Sequence, residues 1–177
     1  MGSYVQRVLS AEEQIVYPAQ LHWVIYFRGL FMTFMGALVG HFGGYGVRAI
    51  LGDNMAQMAA KPIMVLAMVM IVWGTVELLL AFIRQTSTEL VITNKRVIAK
   101  YGFIATTTFE LMIVKVEGAN IDQTVLGRML GFGTVMVKGT GGGISPIDHV
   151  ASPFLFQNYL MNAMERANRH GPTGTND

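Results

Sequence analysis

The chain has 177 residues, 52% of them hydrophobic and only 14% charged, with a net charge of +2 and no cysteine. Soluble domains carry nearer a quarter charged residues, so this composition is apolar for one. From Gln85 onward eight Lys/Arg face seven Asp/Glu, which leaves no basic stripe for nucleic acid, and zero cysteines exclude disulfides, thiolate metal sites and cysteine nucleophiles.

Residues 1–23 read as a cytoplasmic N-terminal segment. Glu12 and Glu13 and the lack of an apolar run argue against a cleavable signal peptide, so the apolar stretch that follows, Val24 to Gly46, is expected to act as an uncleaved anchor. Residues 63–83 (IMVLAMVMIVWGTVELLLAFI) form a second such stretch, about twenty residues with one charge, the length a helix needs to cross a bilayer. Residues 24–84 are therefore expected to be a two-helix transmembrane hairpin with a loop over Val47–Lys61. Arg7, Arg28, Arg84, Lys95, Arg96 and Lys100 flank its outer ends and only Arg48 and Lys61 fall in the loop, which places both termini in the cytoplasm.

Two features of the hairpin stand out. A charge at mid-bilayer costs several kcal/mol, yet Arg28 lies early in the first span and Glu77 late in the second. In an antiparallel hairpin both sit roughly 7 to 11 Å below one membrane face. They either pair, or Arg28 snorkels while Glu77 faces water or is protonated. Gly36, Gly40 and Gly44 repeat every four residues and form a smooth stripe for close helix approach. His41 lies off that stripe and has no second histidine at ligand spacing.

Beyond Arg84 only Gln85, Thr86 and Ser87 precede the first strand, a reach of at most about 11 Å, so the following domain must lie close to the bilayer. Glu89–Thr93 and Arg96–Tyr101 are rich in β-branched residues around an Asn94-Lys95 turn. Ile104–Phe109 and Leu111–Val116 are expected to be further strands, Gln123–Leu130 a short helical turn, and Gly133–Lys138 and Ile144–Val150 strands joined by the Gly139–Gly143 turn. Ser152 and Pro153 mark the start of an amphipathic helix over 153–169, ended by Gly171-Pro172. The tail, 170–177, is expected to be disordered. The fold class is thus a membrane α-helical hairpin plus a small antiparallel β-barrel or sheet, residues 85–169, capped by a C-terminal helix.

Residues 88–98 (TELVITNKRVI), Gly102, Glu110-Leu111, Val116-Glu117 and residues 125–134 (VLGRMLGFGT) resemble the bacterial pleckstrin-homology-like (bPH2) domains over roughly 85–166. The entry into the first span through Leu21-His22-Trp23 is similar to the layout common in that family. The resemblance implies a PH-like barrel at a bacterial inner (cytoplasmic) membrane, in a family whose members mostly lack an assigned activity. The spaced basic residues of lipid-binding PH domains are only partly met, by Lys95, Arg96 and Lys100.

No catalytic constellation emerges. In the Gly139–Gly143 loop the lysine precedes the glycines, so it is a hairpin turn and not a phosphate cradle. Ser145, Asp148 and His149 are too close along one strand to converge as a triad, and Glu110, Glu117 and Asp122 read as strand-surface residues. The candidate contact residues for lipid or partner are Lys95, Arg96, Lys100 and Arg128. Around Arg128 the apolar residues Val125, Leu126, Met129, Leu130 and Phe132 are expected mostly to pack inward. The expectation is a non-enzymatic, membrane-anchored binding or scaffold module without cofactor or metal. It would engage a membrane-protein partner or another copy of itself. The alternatives are anionic-headgroup binding, or a membrane enzyme or transport subunit using Glu77 and Arg28.

Overall fold

A computed structural model describes residues 3–10, 12–102 and 106–169. The chain divides into two units, residues 23–83 and a second unit made of residues 1–22 together with 84–177. The helical unit is thus an insertion within the other.

The inserted unit begins with a 3-10 turn, Trp23–Tyr26, and continues as α2 (Phe27–Leu51). Gly52, at φ 82°, reverses the chain, its N–H donating to the Arg48 carbonyl, and α3 (Asp53–Ser87) starts at the next residue. The expected loop over Val47–Lys61 is therefore not a loop. Residues 53–61 are rich in Ala, Met and Gln, which favour helix, and a single glycine with positive φ suffices to end α2. Windows within the two helices reach mean hydropathies of 1.4 and 2.4, long and apolar enough to cross a membrane, and 11% of each window is buried.

In the other unit, α1 (Ser3–Val8) and β1 (Ile15–Ala19) come from the N-terminal segment. After the inserted helices follow β2 (Glu89–Thr93), β3 (Arg96–Tyr101), β4 (Thr107–Met112), a 3-10 turn (Ile113–Lys115), β5 (Val116–Asp122), α4 (Val125–Leu130), β6 (Phe132–Gly139), β7 (Gly142–Gly143), β8 (Ile147–Ala151) and α5 (Pro153–Arg169). Strands β1-β2-β3-β4 form one antiparallel sheet; β5, β6 and β7 with β8 on β6 form the second. The Leu21–Val150 bridge joins the sheets, with hydrogen bonds from His22 N–H to His149 O (2.6 Å) and Ala151 N–H to Gln20 O (2.9 Å).

Residues 1–23 are thus no separate segment, because β1 pairs with β2 and supplies an edge of the first sheet. The strand expected over Ile104–Phe109 begins at Thr107; Ile104 and Ala105 lie outside the described residues. Leu111–Val116 is broken by the 3-10 turn, which turns Ile113 into the core. The strand expected from Ile144 starts at Ile147, after Pro146, which has no N–H for a ladder. The 170–177 tail also lies outside the described residues.

Period-two alternation sends Leu90, Ile92, Val97 and Ala99 into the main core with Val135, Val137 and Val150. Helix α5 closes this core with Phe156, Leu160 and Ala163, at its three- and four-residue spacing. The opposite face of the first sheet is covered as well, since Val91 and Ile98 are buried under Val5 of α1. Burial on both faces explains why β2 and β3 read as nearly unbroken apolar runs.

Candidate functional site

The β2–β3 hairpin carries Lys95, Arg96 and Lys100, and the N-terminal segment engages each of them. Arg96 reaches Glu13 through Nε to Oε1 at 2.9 Å and Nη2 to Oε2 at 2.7 Å, a two-point pairing that matches the planar guanidinium. Its Nη1 donates to Glu110 at 2.8 Å and its Nη2 also to the Val8 carbonyl at 2.9 Å. Lys95 Nζ stands 3.5 Å from Glu12, and Lys100 Nζ lies 5.1 Å from the centre of the Tyr4 ring.

Glu13 is the residue that reading the sequence missed. Its side chain is only 1% exposed. The Thr93 hydroxyl donates to it at 2.7 Å and the Ser10 N–H at 3.2 Å. Burial pushes the Glu13 carboxyl upward, but the hydrogen bonds from Arg96, Thr93 and Ser10 and the Arg96 charge outweigh it and hold the carboxyl below its ordinary range. Arg96 is raised, first by its hydrogen bond to Glu13, against its own burial. Arg96 is therefore a structural clasp. The only signal in the sequence was an acidic pair facing a basic pair across some 80 positions, which no local pattern joins.

Arg128 lies in α4, whose exposure differs from the expected inward packing. Thr124 caps this helix by accepting from Gly127 N–H at 3.1 Å, and Gly131 ends it in the left-handed region at φ 79°. Gly127 is buried, and a Cβ there would stand 2.6 Å from the Phe132 carbonyl. Helical positions advance about 100° per residue. With Gly127 facing inward, Val125 and Met129 must face outward, and they are 79% and 78% exposed. Leu126 is exposed too, while Leu130, turned back toward the domain, falls to 45%. One large side chain from this segment is held against the domain: Phe132 stacks with both His22 and His149, with ring centres 5.3 and 5.7 Å away.

A groove of about 470 Å³ opens in the same unit, between α1, strands β1 and β2, and the last residues of α3. Gln6, Gln20, Gln85, Thr86 and Thr88 line it beside Val5, Ile15, Pro18 and Val91; among the described residues its one charged wall residue is Glu89, which accepts from Val5 N–H at 3.3 Å.

Within the helical unit, Arg28 Nη2 stands 3.4 Å from Glu77 Oε1. Of the glycine stripe, a Cβ on Gly36 would lie 2.9 Å from Ile71 and one on Gly40 3.2 Å from Ala67, whereas Gly44 has nothing within 4 Å. The close face runs instead through Gly29, Gly36, Gly40 and Gly43, against Gly74, Ala67 and Ile63 of α3. Steps of four drift by about 40° each, while alternating three and four stays on one face. Gly44 drops out and Gly29 and Gly43 enter for that reason.

The remaining motifs resolve as structure. Thr140 and Gly141 turn the β6–β7 hairpin. Asp148 accepts from the Thr134 hydroxyl at 2.8 Å, and His149 stacks on Phe132, so neither faces Ser145 as a triad would require. Among the described residues no three His, Cys, Asp or Glu gather as metal ligands.

Two antiparallel sheets closed by a C-terminal helix, with two long apolar helices inserted after the first strand, define a small β domain that carries a helical insertion. Residues 30–161 match the family described as Bacterial PH domain, and the chain belongs to that family. The match starts inside α2, takes in α3, and runs into α5. No curated protein and no solved structure matches the chain.

Proposed function

We propose that this protein is a membrane-anchored PH-like binding module, with no catalytic role, whose β domain engages a protein partner from the cytoplasmic side of the inner membrane. The groove beside α1 and β1 carries the reading. Amides and hydroxyls over an apolar floor suit the backbone and side chains of a polypeptide, and among the described residues no lysine or arginine lines the groove to receive a phosphate. Headgroup binding through the basic turn is the weaker reading, because Glu13, Glu110 and the Val8 carbonyl already engage Arg96.

The anchor reading rests on the length and hydropathy of α2 and α3 and on how little of either is buried. Pairing of β1 with β2 supports a hairpin that enters and leaves from one side, since strands on opposite sides of a membrane cannot pair. The excess of positive charge flanking the hairpin favours the cytoplasmic side.

Placing a photo-crosslinking amino acid at Gln20 or Thr88 in the full chain, expressed in a bacterial membrane, tests the proposal. A discrete protein adduct absent when the probe sits at Lys138 is expected. Adducts to lipid alone, or none, would count against a protein-binding role.

A further inference from the structure

The outward face of α4 is exposed among the described residues. Gly127 provides the contact that seats the helix on Phe132, and Gly131 ends it. Val125, Leu126 and Met129 then form a convex apolar arc, with exposed Arg128 on its flank. The arc extends onto α5. Ser152 N–H donates to the Gly131 carbonyl at 2.8 Å, which brings the first turn of α5 beside the end of α4, and there Phe154 is exposed as well. A globular domain in water has no use for four large apolar side chains raised around one arginine, and such a patch marks a surface meant to be covered.

The position of the arc identifies what covers it. Phe132 lies two residues beyond the end of α4, a reach of about 7 Å, and its ring stacks 5.3 Å from His22. His22 is the last residue before the apolar stretch that begins at Trp23. The arc thus belongs to the end of the β domain from which the chain enters the bilayer.

We propose that α4 is an interfacial membrane foot. Val125, Leu126, Met129 and Phe154 sink into the boundary between headgroups and acyl chains, and Arg128 stays at the level of the lipid phosphates, its aliphatic stem covering apolar surface. The foot rests on the reading of α2 and α3 as membrane spans. It adds a third attachment to the two covalent ones at His22 and Arg84, and three points fix a rigid body against a plane where two leave it free to rock. The groove of the β domain would then be presented at a set height and angle.

The absence of cysteine makes a direct test simple. Single cysteines introduced as Leu126→Cys, Met129→Cys, Lys138→Cys and Val69→Cys carry an environment-sensitive fluorophore in the full chain. The protein is reconstituted in vesicles of phosphatidylcholine and phosphatidylglycerol. Position 138 lies six residues along β6 from Phe132, about 20 Å away, and serves as the solvent reference. Position 69, within α3, serves as the membrane reference. Labels at 126 and 129 should be quenched by shallow doxyl-labelled phosphatidylcholine several-fold more than the label at 138, and be shielded from aqueous iodide.

If 126 and 129 match 138 in both quenchers while 69 is quenched by doxyl lipid, the foot is overturned and the anchor stands. Shielding from iodide without doxyl quenching would mean that another protein copy covers the arc, and overturns the proposal too. A label at 69 that escapes doxyl lipid removes the anchor and the foot together.

Discussion

Replacing Arg96 by methionine tests the clasp between the N-terminal segment and the β2–β3 turn. Methionine keeps most of the volume but leaves the Glu13 carboxylate buried with only the Thr93 hydroxyl and the Ser10 N–H. Breaking a buried pair by removing one partner costs about 3 to 5 kcal/mol. Arg96 is 22% exposed and Glu110 a third exposed, so solvent compensates part of the loss and the low end applies. At about 1.4 kcal/mol per tenfold, a loss near 3 kcal/mol lowers the protection of β2 and β3 amides roughly a hundredfold. Hydrogen exchange read by mass spectrometry on the full chain is the suitable assay, because both tryptophans, Trp23 and Trp73, lie in the helical unit and do not report on the sheet. Adding Glu13→Gln to Arg96→Met removes the stranded charge and should restore much of the protection. Losses that simply add, or an Arg96→Met chain that exchanges like the parent, would refute the clasp.

The same carboxylate sets an acid limit. Its folded value lies below the ordinary one near 4.5, so its stabilisation is complete above that value and disappears as pH falls through the folded value. Corrected protection of β2 should therefore hold from pH 7 down to the ordinary value near 4.5 and fall as the pH drops further, with the fall reduced in Glu13→Gln. In the hairpin, Arg28→Gln with Glu77→Gln should lower thermal stability in detergent by less than the sum of the single changes, and additive losses would mean the two act independently. Gly36→Leu should destabilise the helix pair while Gly44→Leu, facing open space, should not; equal effects would contradict the three-four register. A periplasm-only reporter fused after Asp177 should stay silent, and a signal from it would invert the proposed orientation.

Much of this was legible in the sequence because it depends on local pattern. The apolar stretches, the β2–β3 turn around Asn94-Lys95 and the start of α5 at Pro153 follow from spacing and capping within a few residues. The illegible parts depend on partners far along the chain. Ile15–Ala19 is too short and too mixed to declare itself a strand until β2 offers an edge. Glu13 reads as a surface carboxylate until Arg96 folds over it. The α4 segment misled in the opposite direction. Its apolar residues suggested burial, but Gly127 takes the inward position and its neighbours are turned out. A glycine flanked by large apolar residues thus has two readings, and only the tertiary contact beneath it distinguishes them.

The insertion of the helices between β1 and β2 couples the two units through chain entropy. About 70 residues separate Ala19 from Glu89. Were they a flexible loop, closing it would cost about 2 kcal/mol more than closing a five-residue turn. Helices packed along Gly29, Gly36 and Gly43 instead hold the insertion in a defined form, which removes most of that closure cost. The close contact of Gly74 on α3 with Thr33 and Gly29 is the place to loosen that arrangement, since a Cβ there would lie 2.6 Å from the Thr33 nitrogen. Gly74→Leu should force the helices apart and let their ends separate, raising exchange in β1 by up to about thirtyfold, the equivalent of 2 kcal/mol. Strands β5 and β6, closed by a short connection through α4, should exchange as before. Equal acceleration in both sheets would indicate general unfolding, and no change in β1 would show that the sheet holds its first strand without help from the hairpin.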